Sequence, residues 1–176
     1  MRAVRRMCQE RDLSDGFTYA LPGDLGVLTL SSQVLQHFTA HRQRKLLARE
    51  AGGQLFATFA DPSVMAVVEA TGPRKNDKRS VFSYRPDRMA ERAEIEERFA
   101  RGLHFVGDWH THRERVPNPS DEDKRSIIES VHQSAHDLAG FLLVVVGQVE
   151  FPDGLHVSFH SRDASVVLTP LTARRP

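Results

Sequence analysis

The sequence predicts a single α/β (α+β) domain built on a mixed, mostly antiparallel sheet that is flanked by helices. Its 176 residues suffice for one domain with one hydrophobic core. Helix-like and strand-like segments alternate along the chain, and several neighbouring strands are separated only by short turns, which favours hairpins within one sheet. We therefore expect an N-terminal arm over residues 1–24, the domain over 25–169 and a C-terminal tail over 170–176.

The first half of the domain is predicted to contain a strand, a helix and a hairpin. Residues 25–30 are apolar and rich in strand formers, and Ser31 can cap a helix that runs toward Leu47 with apolar residues at helical spacing. Two glycines interrupt this pattern. The strands of the hairpin then cover residues 54–59 and 64–70, and an Asp-Pro pair forms the turn between them.

The second half of the domain is predicted to contain two helices. Residues 87–101 are rich in Glu, Arg and Ala, which favour helix. The second helix opens at Ser120, and Ile127, Ile128 and Val131 form its apolar face. The segment 72–79 is a polar loop. The remaining extended segments are, in chain order, 81–84, 104–112, 141–149, 155–161 and 165–168.

The composition excludes several classes of protein. A net charge of +1 gives no reason to expect nucleic acid as a partner. Cys8 is the only cysteine, so neither an intramolecular disulfide nor a cluster of cysteines around zinc can form. The longest apolar run, over 141–146, is too short to span a bilayer, and no apolar stretch follows the N-terminal arginines. We expect a cytoplasmic protein without a membrane partner.

The segment 107–112 carries the residues with the clearest chemistry. In a strand, residues two apart point to the same face, so His110 and His112 present two imidazoles side by side. Asp123 lies in the first turn of the next helix, which the preceding proline-containing loop can fold back over the histidines. Two histidines and one carboxylate leave the fourth tetrahedral position open for water, as in catalytic zinc sites.

The neighbours of the two histidines are assigned by the same alternation. His104 and Asp108 are expected on the face of the histidine pair, where either can act as a supporting group for a ligand, although a core or edge position is favoured for His104. Trp109 is expected to point the other way, into the core.

Hydrolysis assisted by a metal also requires a general base and a donor to the oxyanion. Ser120 precedes Asp123 by three residues and can supply the donor. Glu50, directly before the bend that two glycines form at positions 52 and 53, is the best candidate for the base. Simpler readings exist for each residue. A serine followed three residues later by an acid is a capping box, Glu50 can be a surface charge, and the two histidines can be an exposed polar face.

The spacing of these residues resembles the signature of the JAMM (JAB/MPN) metallopeptidases. Seven residues separate His112 from Ser120, and two separate Ser120 from Asp123. Sixty residues upstream of His110, the run Glu-Ala-Gly-Gly-Gln-Leu that begins at Glu50 is similar to the glutamate motif of the family. Two positions depart from the family pattern and remove no ligand: the residue after the second histidine is an arginine rather than proline, and Ala57 replaces a common glycine.

The resemblance implies a zinc-dependent isopeptidase or peptidase with a JAB/MPN-like fold. It implies one zinc ion per chain on His110, His112, Asp123 and water, with Glu50 as catalytic base and Ser120 stabilising the oxyanion. The implied substrate is a protein with a C-terminal tail that ends in glycine, either a ubiquitin-like protein or a conjugated nucleotidyltransferase. The chain is most similar to the small prokaryotic JAB proteins of antiviral CBASS operons, which are taken to reverse such a conjugation.

Three alternatives remain open at this point. A JAB peptidase can instead trim a ubiquitin-like sulfur-carrier protein, and some MPN domains are scaffolds without metal that have lost a ligand or the glutamate. A nucleophilic role for Cys8 is also conceivable, although its charged surroundings offer no activating group. For the enzyme readings, we expect residues 72–79 and 131–140 to form the walls of a groove for the extended tail of the substrate.

Overall fold

A curled sheet forms the centre of the domain. The computed structural model describes residues 16–134 and 136–171, and eight strands of this part of the chain belong to the sheet. They are β1 (Phe17–Ala20), β2 (Val27–Leu30), β3 (Gly52–Thr58), β4 (Val64–Ala70), β7 (His104–Thr111), β8 (Phe141–Val146), β9 (Leu155–His160) and β10 (Ser165–Val167). A separate hairpin pairs β5 (Lys78–Arg79) with β6 (Tyr84–Arg85), and the described helices are α1 (Ser32–His41), α2 (Arg88–Ala100) and α3 (Asp121–Gln133).

The strand order confirms the predicted mixed and mostly antiparallel sheet. The strands follow one another as β1-β2-β4-β3-β7-β8-β9-β10. The pairs β2–β4 and β7–β8 are parallel, and the other pairs of this sheet are antiparallel. The two outer ends of the sheet meet, because Tyr19 bridges to Pro170 and the amide of Leu171 donates to the carbonyl of Thr18 at 2.7 Å.

One face of the sheet packs on α1. The Ser31 hydroxyl accepts a hydrogen bond from the amide of Val34 and caps the helix, as predicted. Val34, Leu35 and Phe38 then bury one side of the helix against a core that includes Trp109. The helix ends at His41, whereas the sequence pattern extended it toward Leu47. This correction has a physical cause, since Arg42 already adopts an extended backbone and Leu47 is exposed.

The opposite face of the sheet packs on α3, while α2 packs against β7 and β3. Asp87 caps α2 through hydrogen bonds that its carboxylate accepts from the amides of Met89 and Ala90. On α3, Ile127 and Val131 are buried against apolar residues of β8. Ile128 is 38% exposed, so its predicted place on the apolar face of α3 is wrong.

The predicted N-terminal arm contains a strand of the sheet. Residues 17–20 pair with β2, and Tyr19 is buried within the core. A large aromatic side chain that packs against the core holds this segment on the domain, which the loose arm expected for residues 1–24 did not anticipate. Residues 1–15, with Cys8, and residues 172–176 of the predicted tail lie outside the described part of the chain.

Two further segments differ from the sequence interpretation. The predicted strand over 81–84 is only β6, at Tyr84–Arg85, and its partner β5 lies within the segment expected to be a polar loop. The strand predicted over 141–149 ends at Val146, where the backbone turns toward the 152–154 turn. Among the described helices, none is long and apolar enough to cross a membrane.

Candidate metal centre

Two histidines near the end of β7 face the same cleft. The Nε2 atoms of His110 and His112 are 3.1 Å apart, and their ring centroids are 4.8 Å apart. Their face of the sheet is the one that α3 covers, because the partner of His110 on β8 is Val145, which packs with Ile127 of α3. The sequence prediction that strand alternation places these two imidazoles together is confirmed.

The residues before His110 follow the predicted alternation. Trp109 is 1% exposed on the opposite face, and its indole N–H donates to the carbonyl of Thr71 at 2.9 Å. Asp108 lines the cleft beside the histidines. Burial raises the pKa of Asp108 to about 7, and the nearby negative charge of Glu91 acts in the same direction. Within the described residues, no hydrogen bond joins Asp108 to either histidine, so a supporting role through such a bond is not seen.

His104 does not share this face, so the predicted face is wrong, whereas the favoured role of a core or edge histidine agrees with its contacts. The pairing of β3 with β7 shifts register between Leu55 and Phe56, which inserts an extra residue in β7 and interrupts its alternation. The His104 ring instead packs against the rings of Phe59 and Phe99, each at a centroid distance of 5.6 Å. It therefore packs between the end of α2 and the segment that follows β3.

The first turn of α3 brings Asp123 to the two histidines. Its Oδ1 lies 3.3 Å from His110 Nε2, and its Oδ2 lies 3.4 Å from His112 Nε2. Ser120 fixes this turn through a capping box. Its amide and its hydroxyl both donate to Asp123 Oδ2 at 2.7 Å, and the amide of Asp123 donates back to the hydroxyl.

The electrostatics of the cluster favour a charged carboxylate. Burial by itself raises the pKa of Asp123, but hydrogen bonds from His110, His112 and Ser120 outweigh it and hold this pKa well below the usual range. Burial also lowers the pKa of His112, and its contacts with Asp123, followed by the charges of Glu50 and Glu114, leave that pKa raised. In the absence of a cation, the aspartate thus draws protons onto the neighbouring imidazole.

The spacing of these side chains allows them to hold one metal ion. One ligand atom from each of His110, His112 and Asp123 lies within 4.8 Å of the others. In a tetrahedral site with bonds of about 2.05 Å, neighbouring ligand atoms are about 3.3 Å apart. The two histidine nitrogens are 3.1 Å apart, close to this value, and each has one oxygen of Asp123 nearby, Oδ1 at 3.3 Å for His110 and Oδ2 at 3.4 Å for His112. Three ligands of this chemistry leave one coordination position free, so the residues can hold a metal and still admit a further ligand.

Glu50 approaches the same cleft from the segment between α1 and β3. It is 8% exposed, and its backbone amide donates to the carbonyl of Ser80 at 2.7 Å. Burial raises the pKa of Glu50 to about 7, while the charge of His112 lowers it and that of Asp123 raises it. A carboxyl group poised near neutral pH can accept and release a proton, which is the property required of a general base.

The two glycines after Glu50 allow the backbone to pass close to its neighbours. A Cβ atom on Gly53 would lie 1.9 Å from the carbonyl oxygen of Thr71, and one on Gly52 would lie 2.6 Å from the ring of Tyr84. Since real Cβ atoms do not approach other atoms so closely, the strand that follows Glu50 requires glycine at both positions. The pair is therefore part of what brings Glu50 near the histidines.

A cleft of about 1000 Å³ contains all five predicted site residues. Its walls come from residues 82–88 on one side, and from residues 113–114 and the first two turns of α3 on the other. The predicted walls were residues 72–79 and 131–140, and none of these that the structure describes lines the cleft. The hairpin of β5 and β6 accounts for the difference, because it turns the chain so that its second half, and not residues 72–79, faces the site.

Two buried residues behind the cleft were not among the predicted site residues. Thr111 lies between the two histidines and is fully buried, and Gln43 lies just after α1 and is fully buried as well. The position of Thr111 in the motif was a signal that could have been used. A single glutamine in a polar segment carries no comparable signal, because its partners are distant in sequence.

Comparison with known proteins identifies relatives over most of the chain. The model of the prokaryotic homologues of the JAB domain matches residues 31–160. A protein of Pseudomonas aeruginosa named CD-NTase/cGAS isopeptidase is 32% identical over 136 residues, which cover 74% of this chain and 84% of the relative. A protein of the same name from Enterobacter hormaechei is 25% identical over 131 residues, 74% of this chain and 72% of the relative.

A solved structure shares the fold. The solution structure of a protein from Desulfitobacterium hafniense superposes with a TM-score of 0.57 at 19% sequence identity. The match covers 80% of this chain and 88% of that protein. At this level of identity the likeness concerns the arrangement of strands and helices alone.

Proposed function

The chain belongs to the family of prokaryotic homologues of the JAB domain, and from this premise we propose that it is a zinc-dependent isopeptidase that releases a protein from a conjugate. The bond to be cleaved joins the carbonyl of a C-terminal glycine to the side-chain nitrogen of a lysine. The relatives named CD-NTase/cGAS isopeptidase support a conjugated nucleotidyltransferase as the protein released.

One observation carries the proposal. His110, His112 and Asp123 bring one ligand atom each within 4.8 Å of one another, and Glu50 faces the same cleft with a raised pKa. A scaffold that does not react has no need of a buried carboxyl group beside a cluster of metal ligands. The arrangement combines a site for a Lewis acid with a base within one cleft.

The residues divide the chemistry between them. Zinc held by His110, His112 and Asp123 would supply a Lewis acid that lowers the pKa of water and polarises the scissile carbonyl. Glu50 accepts a proton from the attacking water and returns it to the lysine nitrogen as the carbon–nitrogen bond breaks. The products are a free glycine carboxylate and a free lysine amine. Burial of Glu50 suits both steps, because it raises the pKa into the range where uptake and release are both favourable.

Ser120 has two roles in this proposal. It orients Asp123 through the capping box, and its hydroxyl can donate to the oxyanion that develops on the scissile carbonyl. In the structure this hydroxyl donates to Asp123, so the second role requires the hydroxyl to turn toward the substrate. The hydrogen bonds seen in the structure are those of the capping role.

Ser120→Ala is expected to lower stability by about 1 kcal/mol through loss of the cap and turnover by about 10–100-fold through loss of a donor and of the orientation of Asp123. Urea denaturation and steady-state cleavage measure the two effects. Ser120→Thr, which keeps a hydroxyl, should recover most of both. Ser130→Ala is the matched control, because this serine lies on α3 and bonds to the carbonyl of Ser126. If Ser120→Ala has the turnover of the wild type, Ser120 serves only to cap α3 and does not donate to the oxyanion.

The metal requirement is tested with a conjugate whose C-terminal glycine is joined to a lysine side chain. We expect the purified protein to contain about one zinc ion per chain, as three protein ligands predict. Dialysis against a strong chelator should abolish cleavage, and one equivalent of zinc should restore it. Metal content is measured by mass spectrometry, and cleavage by the release of the two proteins on a gel.

The other readings give different results in the same experiment. A protein that binds no zinc and does not cleave after zinc is supplied would be a scaffold. Cleavage that survives chelation would indicate a nucleophile in place of a metal, and Cys8→Ser tests the only thiol of the chain. Wild-type turnover of Cys8→Ser, together with full sensitivity to the chelator, is the result that the proposal requires.

A further inference from the structure

A buried glutamine behind the cleft joins three separate segments of the chain. Gln43 is 0% exposed, and its amide nitrogen donates to the carbonyls of Ala48 at 2.9 Å and Val81 at 3.0 Å. Its side-chain oxygen accepts the hydroxyl of Thr111 at 3.2 Å. Both N–H groups and the oxygen are therefore in use, as the burial of an amide requires.

Thr111 extends these contacts to the residue next to Glu50. The hydroxyl oxygen of Thr111 accepts the amide of Ala51 at 2.9 Å, and the amide of Thr111 donates to the carbonyl of Ala51 at 2.8 Å. Thr111 is the last residue of β7 and lies between His110 and His112 in the sequence. A continuous chain of hydrogen bonds thus runs from Gln43 through Thr111 to the residue that follows Glu50.

The same glutamine holds the other side of the Glu50 segment. Its bond to Ala48 fixes the chain two residues before Glu50, and its bond to Val81 fixes the loop that contacts Glu50 directly. In that loop, the carbonyl of Ser80 accepts the amide of Glu50, and the guanidinium of Arg79 donates to the Glu50 carbonyl. The backbone of Glu50 is consequently enclosed by groups that Gln43 connects.

We propose that Gln43 is a positioning residue that holds Glu50 in register with His110, His112 and Asp123, an inference that rests on the function proposed above. Gln43 makes no contact with the cleft, so it acts through the backbone on either side of Glu50. A buried polar network with every group satisfied fixes one arrangement, because any displacement leaves an unpaired donor or acceptor. A displacement of about 1 Å in a catalytic group can reduce the rate by about 100-fold.

The test replaces Gln43 by methionine, which has a similar length and cannot form the three hydrogen bonds. We expect kcat to fall by about 10–100-fold, with KM changed by less than about threefold and zinc content unchanged. Gln148→Met is the matched control. Its side chain donates to the backbone carbonyl of Gln43 at 2.8 Å and is not part of the chain that leads to Glu50, so its kcat should stay within about threefold of the wild type.

A double variant separates positioning from general damage. If Gln43 acts through Glu50, then Gln43→Met should add less than about a threefold loss to the residual rate of Glu50→Gln. A full second loss of the size seen in the single variant would overturn the inference. Gln43→Glu, which keeps the acceptor for Thr111 but loses both N–H donors to Ala48 and Val81, is measured in the same way if Gln43→Met does not fold.

A measurement on the zinc-free protein gives a result independent of turnover. The amide of Ala51 should exchange with solvent at least about tenfold faster in Gln43→Met than in Gln148→Met, because the acceptor on Thr111 is no longer held in place. If the wild type cleaves the conjugate, but Gln43→Met and Gln148→Met have the same kcat and the same exchange rate at Ala51, the positioning role of Gln43 is refuted. The proposed function is then unaffected. A zinc-loaded wild type that does not cleave would refute the proposed function and, with it, the base that Gln43 positions.

Discussion

Glu50→Gln is expected to lower turnover of the conjugate by about 10²–10⁴-fold while zinc content stays near one ion per chain. Glutamine preserves the size and burial of the side chain but cannot accept a proton from water. The ligands His110, His112 and Asp123 are untouched, so metal binding should persist. Steady-state cleavage and metal analysis on the same samples distinguish loss of a base from loss of the metal.

The same substitution should stabilise the protein when zinc is removed. Burial raises the pKa of Glu50 from 4.5 to about 7 in the folded chain. Between these pH values the folded state retains a proton that the unfolded state has released, so stability falls as pH rises through this window. The loss reaches about 3 kcal/mol by pH 8. Glu50→Gln removes this loss, so the free energy of unfolding of the zinc-free variant should exceed that of the zinc-free wild type by up to about 3 kcal/mol at pH 8.

Urea denaturation of both zinc-free proteins at pH 4, 6 and 8 measures the difference. It should be small at pH 4 and largest at pH 8. Glu129→Gln is the matched control, since Glu129 is an exposed glutamate on α3 whose replacement makes the same change in net charge. Unchanged turnover of Glu50→Gln would exclude Glu50 as the base. If the stability of zinc-free Glu50→Gln depends on pH as that of the wild type does, the buried charge of Glu50 is not the cause of the pH dependence.

The sequence predicted those parts of the site that depend on local geometry. His110 and His112 are brought together by strand alternation, and the capping box fixes Asp123 within a single helical turn. Strand β4 has the predicted bounds because its apolar residues lie between clear turn signals. The approach of Glu50 to the histidines spans sixty residues of sequence, and only the family resemblance indicated it.

The parts that were mispredicted depend on distant contacts. The register shift that moves His104 off the histidine face arises from the pairing of β7 with β3, which no property of β7 alone reveals. Arg42, directly after the end of α1, bonds to Glu150 at a separation of 108 positions. Gln43 accepts a hydrogen bond from Gln148 at a separation of 105 positions. Tyr19 joins the core through pairing with β2 and with the segment after β10. Such contacts decide the geometry behind the cleft and the approach of Glu50, whereas local signals decide how His110, His112 and Asp123 are placed.

Asp123→Asn is expected to lower the affinity for zinc by at least about 100-fold and to abolish cleavage at ordinary zinc concentrations. Asparagine keeps the shape of the side chain and removes the charge that balances the metal. Competition with a coloured chelator at neutral pH measures the affinity. Asp121→Asn is the matched control, because Asp121 lies in the same turn of α3, is exposed, and pairs only with Lys124 among the described residues. It should bind zinc as the wild type does.

The zinc-free form of Asp123→Asn gives a second readout from the same side chain. In the wild type, burial lowers the pKa of His112, while Asp123 is the strongest of the groups that raise it. Removing the carboxylate should therefore lower the pKa of His112, as followed by NMR titration of its ring protons. Because Asp123 itself has a depressed pKa, its contribution to stability is present above pH 4 and is lost as the solution becomes more acidic. A zinc affinity and a His112 titration that both match the Asp121→Asn control would mean that Asp123 only caps α3, and the site would then lack its third ligand.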